Sequence, residues 1–331
     1  MVTFGKVVSR FLRGCRRTAV FALTTNCNCK CIMCDMHRKT PEAIRLEDAE
    51  KVLEFLAENK FLVAYFTGGE PTLHPDVVEI VNHANRLGLV TAMTTNGTVD
   101  KTLLKDLRNA GLYNLSVSID HWDADVCEKI RGHRGIMAKQ VETIRYAREI
   151  GIRTYALAFL NPFLVEDGVD KLIDYVNSLG VPFGFCHPTK TGVNSYGLGG
   201  VLSEEEMYHK MKDCVETILS SKKNGRNMAN LYTYIEDILS FYEKKSPNFY
   251  CKGGEDVFYI DWLGDVYPCF LKPKLFNILN GEAPKFLKRV KCNDCLINCF
   301  REPSFIPNAS RSPILAAKEI VHSYNTRQLY K

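Results

Sequence analysis

Short apolar segments alternate with amphipathic helical patterns along the first 190 residues, and this alternation limits the fold more than any other feature. Strands joined by short helical crossovers run parallel, so an α/β fold is predicted. Periodicity alone leaves two arrangements open, an open doubly wound sheet and a partial (β/α)6 TIM-like barrel. The predicted strands are 19–24, 62–66, 89–94, 113–119, 152–159 and 182–187, and the predicted helices are 46–58, 75–87, 100–110, 138–150 and 167–179.

The pattern changes after residue 200. Two helical segments follow, and beyond Tyr250 the chain becomes rich in cysteine and β-forming residues around Leu263-Gly264-Asp265, which predicts a hairpin. The predicted domains are an N-terminal helix 1–17, the α/β core 18–200, a helical connector 201–247, a small cysteine-rich domain 248–305 and a C-terminal tail 306–331.

The net charge of +5 comes from the N-terminal segment, where residues 1–17 contain five basic residues and no acid. The rest of the chain is formally neutral, which argues against a nucleic-acid partner. Residues 4–15 have apolar residues at helical spacing with a basic opposite face. Two interpretations stay open: a helix packed under the barrel, or peripheral contact with an anionic membrane surface. No apolar run is long enough for a membrane span.

Thirteen cysteines stand out in the composition, and most fall in two groups, residues 27–34 and residues 251–299. The odd number and the lack of a signal peptide argue against a secreted disulfide framework. We therefore expect a cytoplasmic protein, in which such groups bind a metal or an iron–sulfur cluster.

The first group has the spacing C-x3-C-x2-C, formed by Cys27, Cys31 and Cys34 in the loop after the first strand. Three thiolates hold three irons of a four-iron cluster and leave the fourth iron open to another ligand. The alternative is a zinc site, for which Cys29 or His37 is available as a fourth ligand.

Four further motifs follow in chain order: Thr67-Gly68-Gly69-Glu70-Pro71, Thr94-Thr95-Asn96-Gly97, Ser116-Val117-Ser118-Ile119-Asp120 and Lys129-Ile130-Arg131-Gly132. Together with the cysteine motif they cover about residues 18–190, and in this order they resemble the radical S-adenosylmethionine (radical SAM) superfamily. The resemblance implies a six-stranded partial barrel with its site at the carboxyl ends of the strands, as in other parallel β/α barrels. It also implies S-adenosylmethionine and a catalytic 4Fe-4S cluster as cofactors.

By the same resemblance, individual residues receive roles. Cys27, Cys31 and Cys34 are implied as cluster ligands. The implied contacts to S-adenosylmethionine are Met33, Gly68, Gly69, Glu70, Asn96, Ser118 and Arg131. Simpler interpretations remain: a turn at Asn96-Gly97, a strand hydroxyl at Ser118, and an ion pair at Arg131. Cys29 is treated as a bystander.

The implied reaction begins with reductive cleavage of S-adenosylmethionine to methionine and a 5′-deoxyadenosyl radical, which abstracts hydrogen from a substrate C–H bond. An electron donor such as flavodoxin or ferredoxin is an expected partner. The alternative from a different functional class is a non-enzymatic interaction module that binds zinc or iron–sulfur clusters.

The second group contains Cys251-x12-Gly264-x4-Cys269 followed by Cys292-x2-Cys295-x3-Cys299. This arrangement resembles the SPASM and Twitch auxiliary-cluster domains of radical SAM enzymes. Five cysteines are too few for two extra clusters, so one auxiliary iron–sulfur cluster, of the 4Fe-4S type, is implied. Its expected ligands are Cys251, Cys269, Cys292 and Cys295, with Cys299 as an alternative to one of the last two. Such a cluster favours net oxidation or bond formation, while structural zinc is the competing interpretation.

The substrate is less constrained by the sequence. His187, at the end of the sixth strand, is the candidate catalytic residue, although a lone histidine there also fits a structural role. Further candidates for contact with the substrate are Asn161, Thr189, Lys190 and Tyr196, together with the glycine-rich segment 191–200. Because few residues precede Cys27, we expect no fused peptide-recognition or cobalamin domain ahead of the core. A small molecule, a lipid or a separately presented peptide remains as substrate.

Overall fold

The first six strands form a parallel sheet in strict sequence order. The computed structural model describes residues 4–188 and 205–324. The full sheet has nine strands in the order β6-β5-β4-β3-β2-β1-β7-β8-β9. A doubly wound sheet reverses its strand order, so this progression identifies a partial barrel. The strands are β1 Arg17–Ala22, β2 Phe61–Thr67, β3 Val90–Thr95, β4 Asn114–Ser118, β5 Arg153–Phe159, β6 Phe183–Cys186, β7 Val257–Ile260, β8 Asp265–Tyr267 and β9 Phe276–Asn277.

Helices cover the outside of this sheet and bury their apolar faces against it. The main hydrophobic core lies between the outer strand faces and the helices, with Phe21, Phe66 and Met93 fully buried there. The helices are α1 Phe4–Leu12, α2 Leu46–Glu58, α3 Val77–Arg86, α4 Lys101–Ala110, α5 Ala124–Arg131, α6 Ile136–Glu149, α7 Pro162–Asp167, α8 Val169–Ser178, α9 Glu205–Lys223, α10 Tyr232–Tyr242, α11 Asn298–Arg301, α12 Phe305–Ala309 and α13 Pro313–Tyr324.

Local sequence signals set the helix bounds. The α4 helix begins after Asp100, whose carboxylate accepts a hydrogen bond from Leu103 N at 2.9 Å, as expected of an N-cap. It ends at Gly111, which has a φ of 104°, a conformation that favours glycine. The crossovers therefore begin and end close to the sequence-based bounds.

The cysteine-rich segment joins the barrel sheet instead of forming a sheet of its own. The β7 strand pairs in parallel with β1, with Val20 opposite Tyr259, and β8 then pairs antiparallel with β7. The hairpin predicted around Gly264 is present. Pairing of its first strand, β7, with β1 was not predicted, because β1 lies about 240 residues earlier and such a contact leaves no local sequence signal. In the predicted tail, α12 and α13 are helical.

The N-terminal helix packs at the amino ends of the strands. The Arg10 guanidinium donates hydrogen bonds to Leu87 O at 3.1 Å and Phe61 O at 2.8 Å, so this basic residue is used in packing. Leu12, at the end of α1, is 78% exposed. None of the helices in residues 4–188 and 205–324 combines the length and hydrophobicity needed to cross a bilayer.

Candidate active site

The first cysteine motif lies in the loop that follows β1. The Cys29 thiol makes hydrogen bonds to the thiols of both Cys27 and Cys31, so the predicted bystander lies between two predicted ligands. Cys34 is close by, and burial raises the pKa of its thiol to about 12. Four thiols thus meet in one loop. In the part of the chain that the structure describes, no three His, Cys, Asp or Glu side chains already have a metal-coordinating arrangement.

The Cys31 thiol has the most favourable surroundings for its ionised form. A hydrogen bond from Cys29 lowers the pKa of Cys31 to about 7 despite burial, and the charge of Arg131 acts in the same direction. The thiolate is the form that binds metals. The donor chemistry of this loop therefore fits an iron–sulfur cluster.

Residues 130–132 hold the cysteine loop in place. The backbone N–H of Lys30 donates to Arg131 O at 3.0 Å, and that of Ile32 donates to Ile130 O at 3.0 Å. Gly132 has a φ of 59°, and a Cβ there would lie 2.5 Å from Lys30 O, which explains the glycine. The Lys-Ile-Arg-Gly motif therefore packs directly against the loop at Cys31.

The Arg131 side chain links this loop to the end of β4. Its Nη1 atom lies 3.7 Å from Cys31 Sγ, and its Nε atom pairs with the Asp120 carboxylate. Asp120 is fully buried and also accepts a hydrogen bond from Phe159 N at 2.7 Å. Arg131, predicted to contact S-adenosylmethionine, is thus directed at Cys31 here. Asp120 was named within a sequence motif but received no role there. Its position directly after the predicted strand 113–119 is a signal that could have marked it as a site residue.

The Gly-Gly-Glu loop after β2 packs directly on the cysteine loop. Gly69 N donates to Thr24 O at 2.7 Å, and Glu70 N donates to Asn26 O at 2.7 Å. A Cβ at Gly68 would lie 2.3 Å from Thr24 O, and one at Gly69 would lie 2.2 Å from Asn26 O. The contact between the two loops therefore requires both glycines before any cofactor is considered.

The Glu70 carboxylate joins the ends of β2 and β3. It is 1% exposed and accepts hydrogen bonds from Thr72 Oγ1 at 2.6 Å, Thr95 Oγ1 at 2.8 Å and Asn96 N at 2.6 Å. Burial raises the pKa of Glu70, and these donors oppose that shift. Glu70 therefore ties the Gly-Gly-Glu loop to the end of β3 in this structure, and its contact with S-adenosylmethionine stays a prediction.

The remaining predicted cofactor contacts lie along the same edge of the barrel. The Asn96 amide donates to Asn28 Oδ1 at 2.7 Å, so it ties the cysteine loop to the end of β3. Ser118 is the buried last residue of β4. Met33 is half-buried and packs with the group around Cys29 and Cys31. The structure thus brings the predicted residues to one end of the barrel.

The second cysteine group surrounds the β7–β8 hairpin. Cys251 N donates to Cys292 O at 3.0 Å, which brings the two ends of the segment together. Cys269 follows β8, and the thiols of Cys251, Cys269, Cys292 and Cys295 influence one another electrostatically. Cys299 is half-buried and lies close to Cys295 and to Cys186 at the end of β6. The sequence assigned no role to Cys186, because its neighbour lies 113 positions further along the chain.

A buried ion pair supports this group. Arg301 Nη2 lies 2.8 Å from Asp237 Oδ2, and both side chains are completely buried. Arg301 Nη1 also donates to Asn293 Oδ1 at 2.9 Å, within the loop that carries Cys292 and Cys295. The loop is therefore fixed to α10 through one guanidinium.

His187 uses both ring nitrogens inside the protein. Nδ1 lies 2.7 Å from Pro188 O and Nε2 lies 2.8 Å from Tyr242 Oη. Burial lowers the pKa of His187 to about 4, so the ring is neutral at neutral pH. These are the contacts of a structural histidine, and its catalytic role stays a prediction. Thr189, Lys190 and Tyr196 lie outside the described residues.

Comparisons with known proteins agree with this arrangement. Residues 21–176 match the family described as the Radical SAM superfamily. The chain is 26% identical over 281 residues to the antilisterial bacteriocin subtilosin biosynthesis protein AlbA of Bacillus subtilis, covering 79% of this chain and 56% of AlbA. It is also 26% identical to the PqqA peptide cyclase of Rhodopseudomonas palustris, covering 80% of this chain and 69% of the cyclase. The chain therefore spans little more than half of AlbA.

Among solved structures, Streptococcus suis SuiB bound to the precursor peptide SuiA has the same fold. The TM-score is 0.59 at 18% identity, covering 93% of this chain and 70% of SuiB. At this identity the likeness speaks to the fold alone, and it confirms the partial barrel.

Proposed function

Because the chain carries a radical SAM domain, we propose that it reductively cleaves S-adenosylmethionine and uses the radical to oxidise a substrate or form a bond in it. The observation that carries the proposal is the cysteine loop, in which the candidate ligands meet beside Gly68-Gly69-Glu70 and Arg131. A reduced 4Fe-4S cluster bound there supplies the electron that splits the cofactor into methionine and a 5′-deoxyadenosyl radical, which abstracts hydrogen from the substrate.

In this proposal each part of the site has a separate task. Cys27, Cys31 and Cys34 hold the cluster, and Arg131 supports the Cys31 thiolate. Glu70 fixes the loop on which S-adenosylmethionine rests. The proposed contacts to S-adenosylmethionine are Met33, Gly68, Gly69, Glu70, Asn96 and Ser118. Arg131 takes part in cofactor binding only if it exchanges its present partners for the cofactor carboxylate.

The C-terminal cysteines form the second part of the proposal. One auxiliary cluster is held by Cys251, Cys269, Cys292 and Cys295. The position of Cys299 beside Cys295 keeps it as the alternative ligand. Their position against the barrel sheet supports a route for an electron that leaves the substrate. A flavodoxin or ferredoxin supplies the electron for the first cluster in a cytoplasmic setting.

A peptide is the substrate class that the relatives favour. The names of the PqqA peptide cyclase and of SuiB bound to a precursor peptide both refer to peptides. A separately presented peptide was one of three classes left open by the sequence, and we propose it ahead of a small molecule or a lipid.

Anaerobic reconstitution with iron and sulfide tests the proposal. The protein is expected to turn brown, with absorbance at about 400 nm. It is expected to hold about eight irons per chain if both clusters are of the four-iron type. With dithionite it is expected to convert S-adenosylmethionine to 5′-deoxyadenosine, measured by chromatography. A colourless zinc protein without cleavage activity supports the interaction-module alternative instead.

Membrane contact through α1 is a separate proposal, supported by the exposed Phe11 and Leu12 beside basic residues. Leu12→Asp is expected to weaken binding to phosphatidylserine-containing liposomes by about tenfold to a hundredfold, because insertion of one leucine contributes roughly 1.5–3 kcal/mol. Cosedimentation measures this effect. Leu263→Asp, at an exposed leucine in the hairpin, is the control and leaves binding unchanged. Equal binding by both variants contradicts the proposal.

A further inference from the structure

A cavity of about 290 Å³ lies inside the barrel, at the end away from the cysteine loop. Most of its wall comes from the amino-terminal halves of β1 to β5, and residues 298–306 complete it. We call it the barrel chamber. Its apolar side includes Val63, Val90, Ala92 and Ile306. Concave, mostly apolar pockets with a few polar groups are typical ligand sites.

One end of the barrel chamber is polar. This end is lined by Asn114, Tyr155, Asn298 and Glu302. The same four residues line an adjoining cavity of about 190 Å³. The Glu302 carboxylate accepts hydrogen bonds from Asn230 Nδ2 at 2.9 Å and Leu231 N at 2.7 Å. Each carboxylate oxygen keeps further acceptor capacity after one such bond.

The charge of Glu302 has no cationic partner within the two cavities. Their described lining residues include no lysine, arginine or histidine. Lys222 acts on Glu302 electrostatically, but its Nζ donates to Asn230 O at 2.7 Å. Burial raises the pKa of Glu302 to about 7. A buried carboxylate of this kind is stabilised by a cation.

The barrel chamber lies directly below the candidate cofactor site. Tyr65 lines the chamber, and its hydroxyl bonds to Ser116 Oγ at 3.2 Å and to Thr94. Ser116 precedes Ser118 by two positions on β4, so the two face the same side about 7 Å apart. Cys299 also lines the chamber, so the chamber reaches the second cysteine group.

We propose that the barrel chamber binds an aliphatic primary amine of the substrate, with its ammonium group at Glu302 and its carbon stem against Val63, Val90 and Ile306. The inference rests on the proposed function, because it takes the chamber as part of the substrate-binding site. An ammonium group donates to both the carboxylate and the neighbouring amides, while the methylene stem packs on apolar side chains. A lysine side chain of a peptide and a free alkylamine share this chemistry.

Binding of pentylamine and pentanol to the reconstituted holoprotein at pH 8 tests the inference. At this pH the amine is cationic and Glu302 is ionised. We expect the wild-type protein to bind pentylamine at least about tenfold more tightly than pentanol in calorimetry. Glu302→Gln is expected to reduce this preference to within about twofold. Equal binding of the two probes by the wild-type protein overturns the inference without any variant.

Ala92→Leu fills the chamber and leaves Glu302 in place. It is expected to weaken the binding of both probes, and undiminished pentylamine binding by this variant contradicts binding in the chamber. The peptide source is tested with N-acetyl-lysine N-methylamide against its norleucine analogue. A Glu302-dependent preference for the lysine compound assigns the amine to a peptide, and a preference limited to pentylamine assigns it to a small molecule. Cleavage of S-adenosylmethionine without amine binding refutes this inference and leaves the proposed function standing.

Discussion

Cys31→Ala is expected to reduce formation of 5′-deoxyadenosine below detection. Cys31 is the candidate ligand with the most support in the structure, because Cys29 and Arg131 contact its thiol. The backbone carbonyls of residues 130 and 131 also hold its neighbours Lys30 and Ile32. A cluster with two remaining thiolates is lost or displaced. Iron content is therefore expected to fall by about half, and product formation is measured by chromatography after dithionite reduction.

Cys214→Ala is the matched control for this substitution. Cys214 is also a buried free cysteine, but it lies in α9, away from both cysteine groups. The control is expected to keep its iron and its cleavage activity. Cys29 is close enough to take over ligation in the Cys31 variant, so the double variant Cys29→Ala/Cys31→Ala excludes that rescue. Full activity in the double variant would refute the assignment of the first cluster.

Arg301→Met is expected to lower the free energy of unfolding by about 3–5 kcal/mol, because it leaves the completely buried Asp237 carboxylate without its ion-pair partner. The same change removes the hydrogen bond to Asn293 in the loop of Cys292 and Cys295. Loss of iron from the second cysteine group is therefore expected at temperatures where the first group keeps its iron. Denaturant unfolding and iron analysis measure the two effects.

An exposed ion pair in the same segment provides the comparison. Lys272 Nζ lies 2.8 Å from Asp294 Oδ2, the same separation as in the buried pair, but both side chains are about half exposed. Lys272→Met is expected to cost less than about 1 kcal/mol, because solvent screens surface pairs. Equal destabilisation by Lys272→Met and Arg301→Met would show that burial does not govern the effect.

Much of this architecture could be predicted from the sequence, because parallel strands and crossover helices leave local periodic signals. The α2 helix, for example, has the predicted bounds of 46 and 58. The choice of a barrel over a doubly wound sheet depends on strand order, which local periodicity does not contain. Pairing of β7 with β1 was missed for the same reason.

The site was predictable to the extent that its residues form motifs. The residues that belong to motifs include Cys27, Cys31, Cys34, Gly68 and Gly69, and the structure brings them together. Asp120 and Glu302 were missed, because their importance depends on burial and on partners distant in the chain. The close contact of Cys29 with two predicted ligands likewise depends on how the loop folds.

The parallel pairing of β7 with β1 has a consequence for synthesis on the ribosome. The β1 strand must wait for about 240 further residues before its second neighbour exists. During that time β1 presents one row of unpaired backbone groups, and an edge of this kind invites association with other chains. Emergence of β7, and not completion of the six barrel strands, is then the event that closes this edge.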